Sequence, residues 1–125
     1  MRSNDTQVGG DHYKREYQHW DLVIDTDMPY VLGCATKYIS RWRKKNGKQD
    51  LEKSLHYIHK AYERNILMQD SRRLVDKFCN QLENTIDGDI IKLICSNQFY
   101  EAKRLITELQ VFAPVVTEPP TFTQG

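Results

Sequence analysis

The stretch that decides the fold runs from residue 31 to residue 48 and reads VLGCATKYISRWRKKNGK. Its apolar residues recur every three or four positions, which is typical of an α-helix with one buried face. This apolar stripe consists of Val31, Cys34, Ala35, Tyr38 and Trp42. Gly47 follows, and glycine often closes a helix because it adopts the left-handed conformation without strain. The spacing predicts a helix that is capped by Asp27, has Pro29 in its first turn and runs to about Lys45.

The same stretch carries a dense positive charge. Six of the twelve residues from Lys37 to Lys48 are Lys or Arg, and none is acidic. At about 100° per residue, the side chains of Lys37, Arg41, Lys44 and Lys48 form one stripe beside the apolar one. Cations that border a core keep part of the electrostatic strength that water and salt remove from solvated ones. The pattern predicts a phosphate-binding site, and a basic face that only solubilises the helix is the alternative.

The rest of the chain also shows helical spacing, without useful strand alternation. The sequence predicts an all-α fold, a small helical bundle of about five helices with an N-terminal arm and a disordered Pro-rich tail. Tyr17, Trp20 and Ile24 indicate a short first helix, and Asp50 can cap a third helix that continues to Ile66. The remaining predicted elements are a fourth helix from about 71 that Gly88 ends, one or two turns over 89–95, and a last helix capped by Ser96 or Asn97. The expected units are residues 1–69 as the main domain, 70–112 as an additional helical module and 113–125 as a flexible tail.

Length and composition restrict the class of protein. A chain of 125 residues with 39% apolar and 28% charged residues has the size and composition of one soluble domain. It has no apolar run near the roughly 20 residues that span a bilayer and no secretory signal, so we expect no membrane association. The net charge of +1 is too small for a protein that coats DNA, so a local anion site fits better. The three separated cysteines indicate reduced core thiols.

Phosphate-binding and nucleophile motifs of known mechanism are absent from the sequence. The glycines match neither a Walker A loop nor a dinucleotide fingerprint, and no nucleophile elbow is present. On the third helix, Glu52, His56, His59 and Glu63 share a face that could hold a metal. Glu and His at this spacing more often interact with their neighbours and water, and no metal ligand is assigned. Asp21, Asp25 and Asp27 are either solvated charges and a cap or carboxylates that hold magnesium through water. His12 is either a proton-transfer group or a packing residue.

Three blocks of sequence together resemble a family of small tailed-phage helical domains of largely unknown function. The blocks are Val8-Gly-Gly-Asp-His-Tyr-Lys14, then Gly33-x-x-x-Lys37-Tyr38-x-x-Arg41, then Lys45-x-Gly47-x-x-Asp50-Leu51-x-Lys53-x-x-x-Tyr57. Their order and spacing match over about residues 8–62. The best-characterised member of that family is a deoxynucleotide kinase of T-odd coliphages. This chain departs from the pattern at Cys34, where an Asn usually follows the Gly.

The resemblance implies a phage protein of the host cytoplasm that binds a nucleotide and transfers a phosphoryl group to a deoxynucleoside monophosphate without a P-loop. In this interpretation His12, Arg41 and Asp50 are the catalytic candidates, and Mg2+ is the candidate cofactor. The substrate and its phosphates would be bound by Tyr13, Lys37, Arg41, Lys45 and Lys48. Asp50 would orient Arg41 or Lys45, or merely cap the third helix.

Two other functions stay open at this point. A small phage protein could bind and inhibit a host defence or nucleic-acid-processing complex through the surface formed by residues 41–45, because Arg and Trp are enriched at interface hot spots. Direct nucleic-acid binding through a helix-turn-helix near residues 95–98 is less well supported, because Lys103 and Arg104 are offset by Glu101 and Glu108. The amphipathic helices beyond residue 70 would complete the core or form a homo-oligomer.

Overall fold

The structure is a computed structural model that describes residues 16–115. Within this range the chain forms six α-helices and one 3-10 turn, with a single isolated bridge between Gly47 and Val115 in place of any strand. The elements are α1 His19–Thr26, α2 Tyr30–Arg41, the 3-10 turn Trp42–Lys44, α3 Lys48–Glu63, α4 Arg72–Cys79, α5 Thr85–Cys95 and α6 Phe99–Phe112. The prediction of an all-helical bundle is confirmed.

Helices α2 and α3 form the central pair of the bundle. Their short connection requires them to run antiparallel, and small residues let them approach closely. The hydroxyl of Ser54 on α3 donates a hydrogen bond of 2.9 Å to the carbonyl oxygen of Ala35 on α2. The fully buried apolar residues of these two helices include Leu32, Ala35, Ile39, Leu51 and Ala61. This pair supplies the rigid frame for the surface described below.

The second half of the chain packs on the same core. Helix α5 lies against α2, α6 lies against α3, and α4 lies against α1. The side chains of Phe78, Ile90, Ile91, Ile94 and Ile106 are fully buried in one cluster with those of α2 and α3. The predicted division into a main domain before residue 70 and an additional helical module after it stays a prediction. Packing on one core does not test whether the two parts are separate domains.

Helix α2 ends earlier than predicted. It stops at Arg41, and the next three residues form the 3-10 turn. Two side chains of this turn contact Asp87 of α5: the indole Nε1 of Trp42 donates to Oδ1 at 3.1 Å, and Arg43 binds both carboxylate oxygens, at 2.8 and 3.0 Å. The predicted basic stripe is therefore broken, and Lys48 is the first residue of α3.

Three predicted helix starts were wrong. Asp27 does not cap α2 but closes α1 in the left-handed conformation, with φ of 51°. Asp50 does not cap α3, because it lies inside the first turn and Gly47 occupies the cap position. Gln98, and not Ser96 or Asn97, precedes α6. In each case a residue of a type that favours the cap position lies close to the helix start but occupies a different position.

The predicted fourth helix was also wrong in extent. Helix α4 ends at Cys79, and Gly88 lies inside α5 instead of ending a helix. A Cβ on Gly88 would lie 3.2 Å from that of Cys79, so the glycine permits close packing of α4 and α5. On α1, Trp20 and Ile24 are exposed, and Leu22 and Thr26 face the core.

The beginning of the predicted tail is part of the folded structure. Ala113 to Val115 follow α6, and the carbonyl oxygen of Pro114 accepts a hydrogen bond of 2.9 Å from the backbone N–H of Lys48. The rest of the tail and the N-terminal arm lie outside the described residues. None of the helices between residues 16 and 115 is long and apolar enough to cross a membrane.

Candidate functional site

An aromatic cluster lies on the surface that α2 and α3 share. The ring of Tyr38 on α2 stacks on the ring of Tyr57 on α3, with centroids 6.0 Å apart and planes 16° from parallel. Tyr30, at the start of α2, meets the Tyr57 ring edge-on at 6.4 Å. Tyr38 and Tyr57 are half-buried, whereas 77% of Tyr30 is exposed. The cluster is therefore anchored by α2 and α3 and open to solvent at Tyr30.

Three cationic groups converge on Tyr38. The guanidinium carbon of Arg41 lies 4.8 Å from the ring centroid, the Nζ of Lys53 lies 5.3 Å away, and the Nζ of Lys37 lies 5.4 Å away. These distances are within the range of cation–π attraction, which lets several positive charges gather around one ring. We call the surface formed by Lys37, Arg41, Lys53 and Tyr38 the cationic face.

A buried carboxylate lies beneath this face. Oδ2 of Asp50, whose side chain is fully buried, lies 3.4 Å from Nε of Arg41. The same oxygen accepts a hydrogen bond of 3.3 Å from the backbone N–H of Asn46. Arg41 Nε is itself buried and forms no hydrogen bond of good geometry with any described residue. Asp50 therefore offsets one of the three charges and fixes Arg41, and a net charge of about +2 faces outward by simple Coulomb counting.

The structure brings together some of the predicted site residues. Lys37 and Arg41 lie on the cationic face, and Asp50 lies directly below it. Lys45 follows the 3-10 turn and Lys48 begins α3, so both are beyond the end of α2 and partly exposed. Their predicted role in phosphate binding stays a prediction. His12 and Tyr13 lie outside the described residues.

Sequence reasoning did not assign a role to Lys53, Tyr57 or Tyr30. Lys53 and Tyr57 stand four positions apart in the pattern that carries the family resemblance, and residues with this spacing share a helix face. A connection as short as the one predicted between the second and third helices makes them antiparallel neighbours, so a search for partners of Tyr38 on the third helix could have found both. No pattern in the sequence predicts that the Tyr30 side chain is exposed.

The pKa values of two phenols in the aromatic cluster, Tyr30 and Tyr57, are raised. Cys34 is half-buried on α2 beside Tyr30 and Tyr57. A hydrogen bond with Cys34 is the main cause that raises the pKa of Tyr30, and the charge interaction with Cys34 is the main cause for Tyr57. Neutral phenols add no negative charge to the cationic face at neutral pH, so the face keeps its positive charge.

The surface proposed for a protein partner is only partly available. Trp42 is 5% exposed, and Arg43 is held by both oxygens of Asp87. Lys44 is exposed at the end of the 3-10 turn. On α6, Arg104 is paired with Glu101 and Glu108, at 3.0 and 2.9 Å, which disfavours a groove-reading role for that helix.

Two of the candidate metal ligands and two of the acidic residues near α1 contact other groups. His59 lies 3.3 Å from Glu63 on an exposed part of α3. Among the described residues, no three His, Cys, Asp or Glu side chains are grouped to hold a metal. Asp25 accepts a hydrogen bond of 2.9 Å from the Tyr17 hydroxyl, and Asp21 accepts one of 2.9 Å from the Gln18 backbone before α1. These contacts give both acids a structural role.

Comparison with known proteins gives one similarity. Residues 9–59 match a family described as a protein of unknown function, DUF3310. The match covers nearly the same residues as the phage-domain resemblance and contains the whole cationic face. A search of curated proteins and a search of solved structures each found no match. The family description names no activity, so phage origin and kinase activity stay proposals.

Proposed function

We propose that this chain is a nucleotide-binding protein that holds the phosphates of its ligand on the cationic face. The observation that carries the proposal is the convergence of Lys37, Arg41 and Lys53 on one ring, with the Asp50 carboxylate beneath them. Arg presents a planar fork of donors that fits phosphate oxygens, and Lys supplies a point charge. Because Asp50 and Tyr38 already fix Arg41, little side-chain freedom would be lost when an anion binds.

The exposed ring of Tyr30 supports a nucleotide over a simple phosphate. Base–aromatic stacking contributes about 1–3 kcal/mol per base and tolerates every base, because each has a π-face. Tyr30 lies at the open end of the aromatic cluster, where its exposed ring could pack against a base. We therefore expect deoxynucleotides to bind more tightly than inorganic phosphate.

Phosphoryl transfer is the narrower proposal, and the family resemblance is its support. Such a reaction depends mainly on positioning and charge neutralisation, which Arg and Lys side chains with Mg2+ can supply. The burial of Asp50 favours a role in positioning Arg41 over direct contact with substrate. In this proposal the protein is encoded by a phage, acts in the host cytoplasm, and uses His12 and Tyr13 to close the site.

Thermal unfolding with a panel of ligands tests nucleotide binding. A ligand that binds only the folded chain raises its melting temperature, by an amount set by concentration and affinity. We expect deoxynucleoside mono- and triphosphates to raise the melting temperature and unphosphorylated deoxynucleosides to have little effect. Lys53→Ala should reduce the shift, and Lys103→Ala, at an exposed position on α6, should preserve it. No shift with any nucleotide would overturn the proposal.

An alternative proposal is that the same face binds an acidic surface of a host protein and inhibits it. The observation in its favour is that exposed Tyr30 and the Arg41 guanidinium belong to one aromatic cluster, since Tyr and Arg are enriched at interface hot spots. Calorimetry separates the two functions. Absent nucleotide binding, together with stoichiometric binding of a purified host protein that Lys53→Ala weakens, would favour the alternative.

A further inference from the structure

The start of α3 lacks a side chain that could cap it. Gly47 occupies the cap position, and glycine has no side-chain oxygen for the first backbone N–H groups. Later N–H groups of the turn bond locally: Gln49 donates to Asn46 at 3.1 Å, and Asp50 donates to Gly47 at 3.0 Å. The N–H of Lys48 instead donates to the carbonyl oxygen of Pro114, after the end of α6. A segment more than 60 positions away thus supplies the missing cap.

The backbone at Gly47 fits this contact closely. Its φ of 55° and ψ of −127° lie in a region that residues with a Cβ rarely adopt. A Cβ at this position would clash with the Pro114 carbonyl oxygen. The N–H of Gly47 donates to Trp42 at 2.9 Å, which ties the same residue to the end of α2. Gly47 is therefore held between the end of α2, the start of α3 and residues 113–115.

The Arg41–Asp50 pair lies within this same unit. Asp50 is in the first turn of α3, and its carboxylate reaches back to the N–H of Asn46. Arg41 is the last residue of α2. A shift of the first turn of α3 would change the 3.4 Å separation between the two charged groups, because each belongs to a different helix joined by the Gly47 connection.

We infer that Ala113–Val115 is a positioning strap that caps α3 and thereby fixes Arg41 on the cationic face. The strap does not touch the ligand in this account. It acts through the backbone of Lys48 and Gly47 on the separation of Arg41 and Asp50. The effect on ligand affinity rests on the proposed nucleotide binding, whereas the effect on the Arg41 side chain does not.

Substitution of Lys48 isolates the strap contact. Lys48→Pro removes the N–H that binds Pro114, and proline is well accepted at the first position of a helix. Lys48→Ala is the matched control, because it removes the same charge and keeps the N–H. We expect the Arg41 Nε–H in nuclear magnetic resonance spectra to exchange with water about fivefold faster, or more, in Lys48→Pro than in Lys48→Ala. This factor corresponds to the loss of the single hydrogen bond between Lys48 and Pro114.

Two truncations test the same inference if Lys48→Pro fails to fold. A chain ending at Val115 keeps the strap, and a chain ending at Phe112 lacks it. The inference predicts faster Arg41 Nε–H exchange and at least threefold weaker nucleotide affinity only in the shorter chain, by the same hydrogen-bond arithmetic. Equal exchange in both chains would overturn the strap. Faster exchange in the shorter chain, when the wild-type chain binds no nucleotide, would retain the strap and refute the proposed function.

Discussion

Arg41 contributes to both the packing and the charge of the cationic face. Its guanidinium lies over Tyr38 and its Nε faces buried Asp50, while 22% of its side chain stays exposed. Buried ion pairs add little net stability by themselves, because each charge loses its hydration. Removal of one partner is different, since the other then remains as an uncompensated buried charge. Arg41 should therefore matter for both folding and binding.

Arg41→Met should destabilise the fold by about 3 kcal/mol or more, because fully buried Asp50 would lose its cation. Lys37→Met, at an exposed position on the same helix, should change the free energy of unfolding by less than about 0.5 kcal/mol. Addition of Asp50→Leu to Arg41→Met should recover much of the loss, because two apolar side chains replace the pair. Urea denaturation measures all three. Equal losses for Arg41→Met and Lys37→Met would contradict the role given to Asp50.

At the scale of the elements, the α2–α3 pair was predictable and its connection was not. The apolar residues between Val31 and Trp42 repeat at helical spacing, and so do those of α3. This repeat can be recognised from neighbouring positions in the sequence alone. The end of α2 at Arg41 depends on Asp87, which lies 44 and 45 positions beyond the side chains that bind it. The pattern of residues around Arg41 does not indicate that Asp87, distant in the sequence, will bind the residues that follow it. Gly47 has the positive φ that the prediction required, but it precedes α3 and does not close α2, so its predicted role was wrong.

Gly47→Ala should destabilise the protein by about 1–3 kcal/mol, the cost of a non-glycine residue in a sparsely populated backbone conformation. The new Cβ would also displace Pro114. Gly33→Ala is the matched control, because Gly33 lies inside α2 and its Cβ would meet Val23 at an ordinary 3.6 Å. We expect that change to be neutral or to stabilise by up to about 1 kcal/mol. Thermal or urea unfolding compares the two, and equal effects would refute the account of the connection.

At the scale of the whole molecule, the helices beyond residue 70 complete the core that α2 and α3 begin. Sequence periodicity indicated their apolar faces, and it left open whether those faces cover the core or form a dimer. The described structure uses them in the core. The juxtaposition of Tyr30, Tyr38 and Tyr57 could not be predicted in full, because it depends on the rotation of α2 against α3. Periodicity gives the face of each helix but only loosely gives this rotation.

Alkaline pH should destabilise the folded chain. Burial raises the pKa of Cys79 and of Cys95 to about 12, and burial with a hydrogen bond to Asp25 raises that of Tyr17 to about 12. The ordinary values are 9.0 for the thiols and 10.0 for the phenol. Because the unfolded chain loses these protons first, the stability that the three groups contribute is complete below about pH 9 and is lost as the pH rises toward about 12.

Urea denaturation at about pH 8 and about pH 10.5, with a reductant present, measures this loss. The free energy of unfolding should fall between the two conditions. Cys95→Ala should show a smaller fall, since it removes one of the titrating groups. A stability that is constant or rises with pH, or a fall of the same size in the variant, would contradict the assignment.

The most direct measurement of the central claim is a nuclear magnetic resonance titration of the isotope-labelled chain with a deoxynucleoside monophosphate. Binding at the cationic face predicts that the shifted backbone signals concentrate between residues 30 and 57, and that the Arg41 Nε–H signal shifts with them. The shifts should weaken as salt is added, because screening reduces the attraction of exposed charges for phosphate. Shifts that cluster elsewhere, or a spectrum that the nucleotide leaves unchanged, would contradict the account.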